Sequence, residues 1–145
     1  MRAAFSFRTR WELAAEADAV QRVLVDLERY PEWWPQVVAV AKIDDDRARV
    51  LCKSRLPYTL DLVLTAVHRE PRRLESRIEG DLVGVALWQL DDLGGRTRVD
   101  YTQDVVVTHR VLRPLVGVLR APMAWNHARM MEGCRVGLEQ RLGVR

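Results

Sequence analysis

Long apolar runs are absent from this sequence: the longest charge-free apolar stretch, Leu82 to Leu90, is far too short to span a bilayer as a helix. The chain opens on strand-like residues and carries no leader of signal-peptide type, which predicts a cytoplasmic protein without stable membrane insertion. Cysteine is scarce. Cys52 and Cys134 lie far apart inside apolar patterns, so they read as small buried hydrophobes, and neither a disulfide framework nor a CxxC site is expected. The three histidines, His68, His109 and His127, are equally scattered, with no HxH or HExxH spacing, so no metal site is expected. P-loop, GxGxxG and GxSxG motifs are missing as well, which argues against nucleotide cofactors and serine-hydrolase chemistry; no cofactor is expected. The net charge of +3 comes mostly from arginines that alternate with Asp and Glu along the chain. That pattern describes a solvated outer surface, and without an RNP, zinc-finger or Arg-rich block it predicts no nucleic-acid partner.

What is present is the material of one domain. A chain of 145 residues, 48% hydrophobic and 30% charged, builds a single core. From Ala4 to Leu13 the odd positions Phe5, Phe7, Trp11 and Leu13 are apolar while Arg8, Arg10 and Glu12 fill even ones, the period-2 signature of a half-buried strand. Val20, Val23, Leu24 and Leu27 then follow helical spacing from Ala17 to Glu28, with Asp18 in the first turn. Next comes Tyr30-Pro31-Glu32-Trp33-Trp34-Pro35, where two prolines limit regular structure to about one helical turn. This is the densest aromatic cluster in the chain.

A meander occupies the middle. Val37–Asp44 is strand-like, and Arg47–Leu56 sets Val50, Cys52 and Ser54 against Arg49, Lys53 and Arg55. Tyr58, Leu60, Leu62, Leu64 and Ala66 share the inward face of the next strand; Leu74, Ser76 and Ile78 share that of the strand after Pro71. Val83–Leu90 and Arg96–Thr108 pair across Asp91-Asp92-Leu93-Gly94-Gly95, a hairpin signal. After His109 the period changes to three and four residues, through Leu112, Leu115, Val116, Leu119, Met123, Met130, Cys134 and Leu138, so the C-terminus is helical to about Leu142. Pro122 predicts either a kink or a long helix beginning there. From Pro122 to Leu142 such a helix measures roughly 30 Å, enough to cross a six- or seven-stranded sheet. Sheet and helix each offer one apolar face, and the inward residues Cys52, Ser54, Ala66, Ser76 and Ala86 are too small to fill the space between them. A cavity with adaptable methionine walls, Met123, Met130 and Met131, is the expected result.

The Tyr30–Pro35 segment after a short helix, Trp88-Gln89-Leu90, Gly95-Arg96-Thr97-Arg98-Val99-Asp100-Tyr101, and Asn126-His127 followed by Met130-Met131 and Gly133 together resemble the START-like or Bet v 1-like (SRPBCC) superfamily. The polyketide cyclase/dehydrase-type subfamily is the nearest pattern, over about Phe5 to Leu142. The resemblance implies an α+β helix-grip fold: a seven-stranded curved antiparallel sheet around a long C-terminal helix, with two short helices between strands one and two. Members of the superfamily include lipid carriers, quinone-binding proteins, aromatase/cyclases and dehydratases, so the fold by itself does not choose an activity.

The expected ligand contacts are Trp33, Trp34, Cys52, Ser54, Leu62, Ser76, Trp88, Tyr101, Gln103, Met123, Asn126 and Met130. Trp33 and Trp34 are either a stacking wall at the cavity mouth or anchors for the second short helix. Trp88 and Tyr101 bring an N–H and an O–H; Gln103, Ser54 and Ser76 are inward polar groups that pair with water or with a ligand. Adjacent helical residues diverge by about 100°, so only one of Asn126 and His127 is expected to face the cavity, and Asn126 fits the Met123–Met130 stripe better. His68 and His109 read as exposed or capping. The leading expectation is a binder or carrier of a lipid, quinone or polyketide-like molecule, gated near Leu119–Trp125. The alternative is a cyclase, aromatase or dehydratase, with Tyr101 or His127 as its catalytic group. A third reading is an interaction scaffold. The chain is expected to be a monomer or a homodimer.

Overall fold

The computed structural model describes residues 3–53 and 55–144. Strand β1 (Ala4–Leu13) leads into helix α1 (Ala17–Val25) and a 3-10 helix (Leu27–Glu32). Six strands follow: β2 (Val37–Lys42), β3 (Arg47–Cys52), β4 (Leu60–Glu70), β5 (Arg73–Gly80), β6 (Leu82–Asp92) and β7 (Thr97–Val107). A short 3-10 turn (Arg113–Leu115) opens into helix α2 (Val116–Leu142). The sheet order is β1-β7-β6-β5-β4-β3-β2, every pairing antiparallel, so the first two strands occupy opposite edges and the two short helices bridge them. This is the helix-grip fold. No helix among the described residues is long and apolar enough to cross a membrane.

Alternation decides the faces. Along β7, Thr97, Val99, Tyr101, Gln103, Val105 and Val107 are buried, while the intervening residues are not. The outer face carries cross-strand ion pairs such as Arg10–Asp100 (2.7 Å) and Arg8–Asp104, exposed pairs that each contribute little to stability but keep the face wet. Gly94 and Gly95 adopt φ of +79° and +82° in the β6–β7 hairpin, where Asp92 accepts a hydrogen bond from the Gly94 N–H at 2.9 Å. Register irregularities between Val37 and Ala39 and between Ala66 and His68 interrupt the ladder toward the β2 edge, and bulges of this kind bend a sheet.

Helix α2 is continuous from Val116, so the alternative of a long helix beginning at Pro122 is overturned. Proline removes one hydrogen bond, the one its N–H would give to the carbonyl four residues earlier. That residue is Val118, which is 82% exposed, so the proline sits beside a solvent-facing stretch of the helix. The apolar stripe begins at Leu112 and Val116, which are buried, but leaves out Leu115, exposed at 44%.

The aromatic segment seats this helix. Tyr30, Trp33 and Trp34 pack mutually with ring centroids 4.9 to 5.8 Å apart, and the Tyr30 hydroxyl donates to the Leu24 carbonyl, closing the turn between α1 and the 3-10 helix. The Trp34 indole N–H donates to the Met130 carbonyl at 2.9 Å. Trp33 comes closer still: a Cβ built on Gly137 would lie 1.7 Å from the Trp33 carbonyl oxygen. Only glycine admits that approach.

Two glycines on α2 therefore respond differently to alanine. At Gly133 a new Cβ meets the end of the Gln36 side chain, which rotates away, whereas at Gly137 it meets fixed backbone. Both substitutions gain helix propensity of about 1 kcal/mol. Gly133→Ala is expected to be neutral or stabilising, and Gly137→Ala to lose about 1–3 kcal/mol through overpacking, as read from urea unfolding midpoints.

Candidate functional site

One transverse row of the sheet explains why α2 and the strands do not close on each other. Register places Ala66 opposite Ser76, Ser76 opposite Ala86, Ala86 opposite Gln103 and Gln103 opposite Phe7. The first three members of this row are alanine or serine, with almost no side chain to fill the space above them. The flanking row toward the β4–β5 and β6–β7 turns, Leu74, Trp88 and Tyr101, is bulky and lines the same space. Between α2 and the sheet lies a cavity of about 420 Å³. Interiors otherwise pack without voids much larger than a water molecule, so a space of this size needs an explanation beyond imperfect packing.

Of the residues expected to contact a ligand, Trp34, Cys52, Leu62, Ser76, Trp88, Tyr101, Gln103, Met123, Asn126 and Met130 line this cavity. Trp33 does not: it sits behind Trp34, committed to the Gly137 contact, and acts as an anchor. Ser54 lies outside the described residues. Asn126 and His127 both line the cavity, contrary to the expectation that only one would. Their 100° divergence is real, but the sheet curls around the helix on both sides. Asn126 points toward the β4 side, where its Nδ2 donates to the Tyr58 hydroxyl at 3.2 Å, and His127 points toward β1 and β7, where it stacks on Phe7 with centroids 3.7 Å apart. Phe7 and Tyr58 are lining residues absent from the expected contacts, although the inward parity of both is readable in the sequence. Met131, expected among the methionine walls, lines the cavity too.

The segment Leu119–Trp125, expected as the gate, is unbroken helix with Met123 buried. Lining residues become exposed and charged at the other end, through Val25 and Glu28 at the α1 junction, Asp44, Asp45, Asp46 and Arg47 of the β2–β3 turn, and His68 and Arg69 of β4. Ion pairs neutralise much of this rim: Asp44 with Arg47 at 2.9 Å, Asp46 with Arg69 at 2.9 Å and Asp45 with Lys42 at 3.4 Å. Arg47, hydrogen-bonded to the carboxylate, holds Asp44 below its ordinary pKa. His109 lies outside the cavity and caps the turn before α2, its Nδ1 accepting from the backbone N–H groups of Val111 and Leu112.

Inside, the polar groups are neutral. Burial pushes the Cys52 thiol up to about 12 and raises Cys134 well above its ordinary value, so neither is a thiolate nucleophile at neutral pH. Burial likewise raises Tyr101, whose hydroxyl donates to Gln103 Oε1 at 2.5 Å. It also lowers His127 to about 4, which leaves the imidazole uncharged. Asn126 Oδ1 and His127 Nε2 are buried and have no hydrogen-bond partner among the described residues. Such groups are costly unless something satisfies them. No three His, Cys, Asp or Glu side chains among the described residues converge on a point where a metal ion would bind.

The depressed pKa of His127 has a measurable consequence. Its ordinary value is 6.5, so between that and about 4 the unfolded chain binds a proton that the folded chain refuses. Stability from this group is complete above pH 6.5 and is lost as the pH falls through that window, at up to about 1.4 kcal/mol per pH unit. Denaturant unfolding of the wild type at stepped pH is expected to show the loss, and His127→Phe to lack it.

Comparison with known proteins agrees with this geometry. The solved structures with the same fold include TTHA0849 from Thermus thermophilus, at TM-score 0.79 and 20% identity over 95% of this chain and 97% of that one. The Zhui aromatase/cyclase from Streptomyces sp. R1128 aligns at TM-score 0.65 and 18% identity, covering 91% and 94%. A START superfamily protein from Mycobacterium smegmatis aligns at TM-score 0.67 and 21% identity, covering 90% and 96%. At these identities the likeness is one of fold. Comparison with curated proteins gives no match. A sequence profile matches residues 4–142, nearly the whole chain, and by that match the protein belongs to the polyketide cyclase / dehydrase and lipid transport family.

Proposed function

We propose that the chain binds a flat apolar small molecule, of lipid, quinone or polyketide-like character, between α2 and the sheet, and carries or senses it without transforming it. The observation that carries this reading is the cavity of about 420 Å³, which falls in the range of small-molecule sites. Its inner walls, Leu62, Leu74, Trp88, Met123 and Met130, are apolar, and the polar groups among them hold no charge at neutral pH. Transfer of an apolar molecule from water into such a space is favourable at roughly 25 cal/mol per Å² of apolar surface covered. The methionines adapt to its outline at little cost.

A cyclase or dehydratase reading has one observation in its favour, the uncharged His127 imidazole with a bare nitrogen beside the cavity. Proton transfer is most efficient when the catalytic pKa lies near the working pH, and burial has moved both candidates away from it, His127 downward and Tyr101 upward. Tyr101 has also committed its proton to Gln103. Most charged residues of the lining belong to the rim, and the less exposed Glu75 is paired with Arg73 at 2.8 Å.

Titration with the apolar fluorophore N-phenyl-1-naphthylamine tests the binding reading. Wild-type protein is expected to give a saturable enhancement at one site per chain. Ala86→Trp, which fills the small row of the floor, is expected to weaken binding more than about tenfold while unfolding stays cooperative. Unchanged binding by that variant would place the fluorophore elsewhere and contradict the proposal.

A further inference from the structure

We infer that the cavity selects a ligand carrying a hydrogen-bond donor, a ring hydroxyl on an otherwise apolar framework, over its acceptor-only counterparts. The inference rests on the binding reading above and adds the chemistry of recognition to it.

Several of the polar atoms inside the cavity are already used. Tyr101 spends its hydroxyl proton on Gln103 Oε1. Asn126 spends an amide proton on the Tyr58 hydroxyl. The atoms left over at α2 are Asn126 Oδ1, which only accepts, and His127 Nε2. His127 is uncharged, so its ring has one nitrogen that accepts rather than donates. Asn126 is 4% exposed and lines the cavity, which leaves solvent little access to its bare oxygen. A buried acceptor of this kind is an unmade hydrogen bond, and the group that completes it must bring a proton.

Position sharpens the requirement. The two open atoms sit on consecutive residues that face different walls, Asn126 beside Tyr58 and His127 stacked on Phe7 with the Tyr101 ring centroid at 6.4 Å, and of the two Asn126 Oδ1 is the one that can only accept. A ring bound beside residue 126 can present an edge substituent to Asn126 Oδ1, with Met123 and Met130 among the side chains lining the same space. An edge hydroxyl reaches an acceptor there. A carbonyl or ether at the same place sets one lone pair against another and leaves the buried oxygen unsatisfied.

The test uses three bicyclic probes of matched size: 2-naphthol, its methyl ether 2-methoxynaphthalene, and 1,4-naphthoquinone, each displacing N-phenyl-1-naphthylamine at pH 7. Wild-type protein is expected to bind 2-naphthol about tenfold more tightly than the ether or the quinone. In Asn126→Leu, checked by thermal unfolding, that preference is expected to fall to near unity while the ether keeps its affinity. His127→Leu is the second variant and reports the share of the imidazole. Equal affinity for the three probes in the wild type, or tightest binding of the quinone, overturns the donor requirement and leaves cavity binding intact. A preference that survives in both variants overturns the assignment to these two atoms. If no probe displaces the fluorophore, or the fluorophore does not bind, the cavity-binding reading fails and this inference fails with it.

Discussion

The contact between the Trp33 carbonyl and Gly137 fixes how close α2 comes to the short helices, and the rest of the interior follows from it. Because the helix is clamped at this end by backbone against backbone, it cannot settle onto the small row of Ala66, Ser76 and Ala86. The Trp34 indole, hydrogen-bonded to the Met130 carbonyl, adds a second fixed point on the same helix. Beside the small row, the bulky row of Leu74, Trp88 and Tyr101 lines the same space. Hydrophobic collapse would otherwise remove the space, since apolar surfaces left apart forgo dispersion contact on both sides. A cavity in this fold is thus maintained by aromatic residues near its ends and by the smallness of the residues at its middle.

Electrostatics then divide the cavity into two zones. The β2–β3 turn and the end of β4 carry charge of both signs, largely neutralised in local pairs such as Asp44–Arg47 and Asp46–Arg69. Farther in, burial pushes the titratable groups toward their uncharged forms, as at His127, Tyr101 and Cys52. A molecule passing from the rim to the floor leaves a charged, hydrated margin for a neutral interior. This ordering suits an apolar ligand with a single hydroxyl, whose lost hydration a hydrogen bond to Asn126 Oδ1 would replace.

Much of this was legible in the sequence because strand parity is a local property. Period-2 alternation placed β1 at Ala4–Leu13 and assigned the inward faces of β3, β4 and β5, and the small residues on those faces announced a void. The sequence was silent where the answer depends on how elements meet. Helical geometry alone separates Asn126 from His127 by about 100°, and only the curvature of the sheet makes both directions inward. Trp33 and Trp34 are chemically identical neighbours, and the close approach at Gly137 decides which one is the anchor. Pro122 lies inside a continuous α2, four residues after the exposed Val118, where propensity alone would have ended the helix. The entrance, too, is made by segments far apart in sequence, at the α1 junction, the β2–β3 turn and β4.

The most direct measurement is the location of a bound ligand. Crystals soaked with 6-bromo-2-naphthol and measured at the bromine absorption edge are predicted to show anomalous density between α2 and strands β5–β7, with the hydroxyl edge beside Asn126 and His127. Bromine found only on the outer surface, or an interior in which α2 has closed onto Ser76 and Ala86, would contradict the account.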